Sequence, residues 1–318
     1  MHVLGLHWWS LRSIGGLVSI RLLGELDANL NEQSVTPTAA KPRQVLALLA
    51  LNAGRIVSVP TLIEELWGDH PPMSVRTTLQ TYILQLRKLI DSALTAENRG
   101  RAKGILVTRF DGYLLDIDPE SVDVRVYERF VEAGNRAMEH SDDEAVSQYL
   151  GRALAEWRGR ALADVRIGMP LSIEVARLEE SRLNVLESRI GADIRLGRHH
   201  AVLSELTVLT AQHPMHENLC AHYMVSLYRA GRQSQALQSF RTLRDTLSRE
   251  LGVEPSIRLQ KLQRAVLRSA LDLEVQLRPD STPLTAEAWD TGNIGRPADR
   301  TDTRRLLSTT NGGAAWQR

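Results

Sequence analysis

The 318-residue chain is 43% apolar and 5% aromatic with a net charge of +1, enough for ordinary buried cores and better suited to helical packing on Leu, Ala and Val than to an aromatic-rich sandwich. Its length suits two domains. One cysteine, Cys220, excludes an internal disulfide framework and a multi-cysteine metal site, and no apolar run reaches the roughly 18–20 residues of a membrane span.

Residues 1–17 are apolar without a basic start, so they read as a disordered leader rather than a secretory signal; Trp8 and Trp9 in it have no assigned role. From Val18 to Leu26 the chain alternates and predicts a strand. The polar stretch Asn29–Thr38 suits short strands and turns. Three helices follow. The first runs from about Lys41 to Asn52, with Pro42 in its first turn, Val45, Leu46, Leu48 and Leu49 as its apolar face, and Gly54 just past its end. The second opens at Ser58, a good N-cap, carries Leu62, Ile63, Leu66 and Trp67 at helical spacing, and stops at Gly68. After the loop Asp69–Met73 the third helix spans Ser74 to about Ile90. A polar linker then leads to two strands, Ile105–Thr108 and Tyr113–Ile117, around the turn signal Asp111-Gly112. A strand, three helices and a hairpin make the layout of a winged helix-turn-helix over 18–118.

Pro119 marks the expected boundary. From there to 275 only helical patterns are predicted. Leu196-Gly197-Arg198 recurs as Ala230-Gly231-Arg232, an offset of 34 residues, and Leu203 and Leu206 then match Leu237 and Phe240. That is the period of tetratricopeptide helix pairs, with a weaker copy around Ala145–Leu154; two unrelated helical hairpins with similar turns remain the alternative. Residues 276–318 are rich in Pro, Gly, Thr, Asp and Arg and predict a disordered tail, in which Trp289 and Trp316 are stray aromatics. The expected fold class is therefore mainly α, a winged helix-turn-helix ahead of an all-α, tetratricopeptide-like domain.

The third helix carries the functional signal. Val75, Leu79, Ile83, Leu86 and Ile90 lie on one stripe and face a core. Thr77, Thr81, Gln85 and Lys88 share another and face solvent. That outer stripe offers hydroxyl, amide and cation and no carboxylate. Gln can pair with adenine, Thr can present a hydroxyl or a methyl, and Arg or Lys can reach guanine or phosphate. From Ser74 through Arg109 seven basic residues stand against two acids, Asp91 and Glu97, whereas residues 119–275 carry 21 basic against 22 acidic. A plain solvated face is the alternative for the helix alone; its place as third helix ahead of a wing favours DNA. Arg109 sits at the wing tip, where an arginine suits a minor groove.

Lys41 to Ser58, Leu66-Trp67-Gly68 and Arg76 to Leu89 resemble the DNA-binding half of the Streptomyces antibiotic regulatory protein family. Ala155 to Asp164, Leu227 to Gln233 and Glu250 to Ser256 resemble that family's bacterial transcriptional activation domain. The resemblance covers roughly 18–270. It implies an OmpR-like winged helix and a pathway-specific activator that binds promoter direct repeats as a homodimer; the lone cysteine suits a reducing cytoplasm, and no cofactor is expected. It also implies recruitment of RNA polymerase holoenzyme through the principal sigma factor. It places Arg76, Thr77, Thr78, Gln80, Thr81, Tyr82, Gln85, Arg87 and Lys88 of the third helix, with Arg109 and Tyr113 of the wing, at DNA. Glu64, Trp67, Asp69, His70 and Pro71 are placed at polymerase. Two departures stand out: Leu114, not arginine, follows Tyr113, and Leu84 occupies a place on the third helix that is often polar.

Other classes find less. No phosphate loop, GxSxG elbow, HExxH pair or GxGxxG turn is present, which argues against an enzyme. His199 and His200 are neighbours whose side chains diverge by about 100° on a helix, and His213 and His216 have only Glu217 nearby, so no metal is expected. A pure interaction scaffold would account for the helical half but has no need of a basic third helix and wing.

Overall fold

The computed structural model describes residues 18–269. Three short strands, β1 (Val18–Arg21), β2 (Asp27–Leu30) and β3 (Gln33–Ser34), form an antiparallel sheet in that order, with Val18 opposite Leu30. Helix α1 (Ala40–Leu51) buries nine of its twelve residues, Gln44 among them. It is sandwiched rather than one-faced, which the narrow apolar face expected from the sequence understated. A strand with no sequence signal, β4 (Ile56–Ser58), precedes α2 (Val59–Trp67). Ser58 caps α2, its Oγ accepting from the Thr61 N–H at 3.2 Å, and Gly68 ends the helix at φ +55°. Helix α3 (Val75–Ala93) and a single turn, α4 (Ala102–Ile105), lead to β5 (Leu106–Arg109) and β6 (Gly112–Leu115). The second sheet has the order β4-β6-β5, so the wing leans on a strand more than fifty residues upstream, a pairing no local pattern announces.

The helical half comprises α5 (Asp123–Glu139), α6 (Asp143–Ala155), α7 (Met169–Arg195), α8 (His199–Gln212), α9 (Glu217–Arg229), α10 (Gln233–Leu251) and α11 (Ile257–Leu267). The repeated turn holds: Gly197 and Gly231 adopt φ +79° and +74°, and the following arginines donate N–H bonds to Asp193 O and Leu227 O, both at 2.8 Å. Ser141, between α5 and α6, makes the same turn at φ +56°, with Asp142 donating to Ala137 O. This is the weaker third copy. The matched positions also pack alike, since Leu206 and Phe240 are both buried.

Residues 156–168 are not helical, contrary to the purely helical expectation. They form a strap laid over the β1–β2 bend. Arg158 N–H donates to Leu23 O at 2.8 Å, Leu162 N–H to Leu22 O at 3.0 Å and Ala163 N–H to Gly24 O at 3.2 Å. From the other side, the Asp123 carboxylate accepts the N–H groups of Leu22 (2.8 Å to each oxygen) and Leu23 (3.0 Å). The bend is buried, and its backbone polar groups must be satisfied somewhere; the helical half does it. One core accordingly runs from Ile20 to Ala192, across the boundary expected at 118/119, and a second is built from Ile190 to Val266. The mainly α winged-helix and helical-domain architecture is the one expected. The proposed leader, the tail and residues 270–275 lie outside the described residues, among which no helix is long and apolar enough to cross a membrane.

Candidate nucleic-acid interface

Helix α3 divides as its spacing demands. Leu79, Ile83, Leu86 and Ile90 are buried and Val75 is half-buried. Arg76, Thr77, Gln80, Thr81, Gln85 and Lys88 are exposed, and Thr78 is half-buried. The exposed set contains no carboxylate. No side chain caps the first turn and no acid sits in it; the Val75 N–H donates to Pro72 O at 3.0 Å, and the N–H groups of Arg76 and Thr77 have no side-chain acceptor, an arrangement compatible with an anion. The hydroxyls of Thr78 and Thr81 donate to the carbonyls of Ser74 and Thr77, both at 3.0 Å. Their protons are thereby engaged by the helix, which leaves their methyl groups and oxygen lone pairs for a partner. Leu84 is 52% exposed on the same helix, so the departure noted in the sequence puts an apolar side chain beside the polar stripe.

Other residues assigned to DNA sit differently. Arg87 is half-buried; its Nε and Nη2 donate to Leu106 O at 3.0 and 2.7 Å, and Nη2 also to Thr108 Oγ1 at 2.8 Å. It fastens the wing to α3 instead of standing free. Tyr113 is 7% exposed, in the core opposite Val57 and Thr108. Tyr82 is half-buried and stacks on Trp67 with ring centroids 6.3 Å apart. Arg109 is exposed at the end of β5. Of the residues expected at DNA, those exposed to solvent are therefore Arg76, Thr77, Gln80, Thr81, Gln85, Lys88 and Arg109. Asp91, one of two acids in this basic segment, accepts the N–H groups of Gly100 (3.2 Å) and Ala102 (3.1 Å) through Oδ1, which ties the linker to the end of α3.

On α2 and the loop that follows it, Glu64, Asp69, His70 and Pro71 are exposed. Trp67 is held from behind: Lys41 Nζ lies 4.4 Å from its ring centroid and donates to Leu66 O at 2.7 Å. Burial, with the nearby Arg166 charge, lowers the Lys41 pKa.

Sequence reasoning missed the joint beneath α2. Glu65 is 2% exposed. Its Oε1 accepts the Gly168 N–H at 2.5 Å and Gln44 Nε2 at 3.2 Å, and its Oε2 accepts the Leu171 N–H at 2.9 Å. A carboxylate from α2 thus caps α7. Desolvation raises its pKa against those hydrogen bonds and with a push from Glu64; Asp123 is raised by burial in the same way, against its backbone bonds and Arg158. The available signal was a charged residue on the apolar stripe of α2, between Leu62 and Leu66. Among the described residues no group of three His, Cys, Asp or Glu side chains is placed to hold a metal.

Comparison with known proteins agrees with this layout. The family described as "Transcriptional regulatory protein, C terminal" matches residues 33–115, and "Bacterial transcriptional activator domain" matches 122–267. The chain is 57% identical over 252 residues to regulatory protein DnrI of Streptomyces peucetius, covering 79% of this chain and 93% of the relative. It is 38% identical over 261 residues to transcriptional regulator RedD of Streptomyces coelicolor, covering 82% and 73%. Among solved structures, Mycobacterium tuberculosis EmbR in complex with a low-affinity phosphopeptide superimposes with a TM-score of 0.73 at 32% identity, covering 80% of this chain and 65% of that one.

Proposed function

As the chain belongs to the Streptomyces antibiotic regulatory protein family of transcriptional activators, we propose that it switches on a secondary-metabolite gene cluster by binding promoter direct repeats and recruiting RNA polymerase. In this reading residues 18–118 are the DNA-binding module and 119–275 the activation domain, acting in the cytoplasm. Two copies sit side by side on the repeats, each with α3 in a major groove and the wing tip at the adjacent minor groove. Arg76 and Lys88 neutralise phosphates and Arg109 reaches the minor groove; Thr77, Gln80, Thr81 and Gln85 read base edges, with roughly 1–3 kcal/mol of discrimination for each good pair. Glu64, Trp67, Asp69, His70 and Pro71 meet the holoenzyme, through its principal sigma factor. Tethering raises the local polymerase concentration at a weak promoter and needs no covalent chemistry.

The observation that carries the reading is the carboxylate-free polar stripe of α3, open to solvent over its whole length. Filter binding with promoter DNA and a scrambled competitor separates sequence-specific binding from a helical scaffold with only general DNA affinity. Within the specific reading, Arg109→Ala should weaken the gel-shift affinity severalfold at physiological salt; an unchanged affinity would remove Arg109 from the site.

A further inference from the structure

Between β5 and β6 the chain reverses over two residues, Phe110 and Asp111, since Arg109 pairs directly with Gly112. This places the turn one residue earlier than the Asp111-Gly112 signal suggested. It is fastened from behind: the Asp111 carbonyl accepts the Val59 N–H at 3.0 Å. A Cβ on Gly112 would lie 2.2 Å from the Val57 carbonyl oxygen, so β6 is pressed against β4 there. Arg87 holds the base of the same hairpin to α3. The Phe110 ring is left wholly outside, with a relative exposure of 109%. Nothing in the fold uses it, and a polar residue would serve the turn equally well.

We propose that Phe110 is an apolar DNA contact: it enters the minor groove beside Arg109 and packs on sugar and base edges, favouring an A·T-rich, easily widened step. The proposal rests on the DNA-binding reading above and adds to it a contact that is not electrostatic. Two features support it. A ring on a fastened hairpin loses little freedom on docking, which is the condition for a useful apolar contact. Inserted apolar side chains are also a recurrent way for proteins to sense the width and deformability of a minor groove without reading its degenerate hydrogen-bond pattern.

The test uses the full chain and a fluorescein-labelled duplex that the wild type selects from a random pool, with anisotropy measured over a salt series. Phe110→Ala should weaken binding about tenfold, the scale set by burying a phenyl ring. The slope of log affinity against log salt should not change, because a phenyl ring releases no counterion. Arg109→Ala should lower that slope by about one. Exchanging A·T for G·C pairs under the wing should weaken the wild type and leave Phe110→Ala much less affected. Equal affinity of Phe110→Ala and wild type for the selected duplex overturns the contact. A loss accompanied by the same slope change as Arg109→Ala also overturns it, since the ring would then act only by steering the arginine. Equal sensitivity of the two proteins to the G·C exchange overturns the groove preference. Failure of the wild type to enrich any duplex is a distinct result: it removes the DNA-binding reading, and this contact with it. Since the ring is fully exposed, an unchanged thermal melt of Phe110→Ala serves as the folding control.

Discussion

The ring of His222, in the middle of α9, lies against the backbone of α7; a Cβ on Gly191 would come within 3.4 Å of its Cε1. Burial, and then the positive charge of Arg195, Arg258 and His216, push its pKa from 6.5 down to about 4. An unfolded chain takes up this proton near pH 6.5, whereas the native state refuses it until about pH 4. The stabilisation is thus fully present above 6.5 and is lost as pH falls through that window, by about 3 kcal/mol. Glu65 and Asp123 have the opposite sign. Burial raises both, so their contributions are greatest in acid and fade as pH rises through their raised values. A variant is needed to isolate the histidine. Urea-unfolding free energies of His222→Leu, measured between pH 7 and pH 4, should fall less steeply than those of the wild type; parallel curves would mean that the acid sensitivity arises elsewhere. None of this was visible in the sequence, where His222 is one histidine among nine, because desolvation is set by neighbours remote in the chain.

At the scale of elements, α2 joins the two halves. Its outer face carries residues assigned to polymerase, and its inner face delivers Glu65 to the first turn of α7. Gly168 sits at that joint with no room for a side chain: a Cβ would lie 2.1 Å from the Glu65 carbonyl oxygen. Glu65→Ala leaves the N–H groups of Gly168 and Leu171 without their acceptor and should cost about 2–3 kcal/mol. Glu65→Gln keeps one acceptor oxygen and should cost less. The two are compared by urea midpoint at constant m, and equal losses would show that the carboxylate's hydrogen bonds are not what the joint depends on. Gly168→Ala should push α7 away from α2 and lower activation in a reporter assay more than it lowers DNA affinity; a parallel drop in both would break the link between this joint and polymerase. Helix α3, by contrast, was legible almost residue by residue. Its buried and exposed stripes follow from a period of 3.6 alone. What the period could not show was that Arg87 would turn toward Leu106, since that depends on where the wing returns.

For the molecule as a whole, the core that passes from β1 to α7 makes the winged-helix half a poor candidate for independent life. Cutting the chain after residue 118 removes Asp123 and the strap, and with them every acceptor and donor just described for Leu22, Leu23 and Gly24. A fragment of residues 18–118 should therefore melt well below the full chain, or show no cooperative transition by circular dichroism. A fragment melting with the full chain would refute the shared core as a source of stability.

Local patterning in the sequence was enough to determine the helix-turn-helix segment, the basic bias of α3 and its linker, and the recurring Gly-Arg turns of the helical half. Each rests on interactions within a few residues: helical periodicity, capping, and the freedom of glycine at positive φ. Tertiary structure alone decided that β4 would back the wing, that residues 156–168 would strap the β1–β2 bend, that Arg87 would fasten the wing and Tyr113 would be buried in it, and that Glu65 and Asp123 would join the halves. Those outcomes depend on buried polar groups finding partners far away in sequence. Burial sets that requirement, and no local pattern contains it.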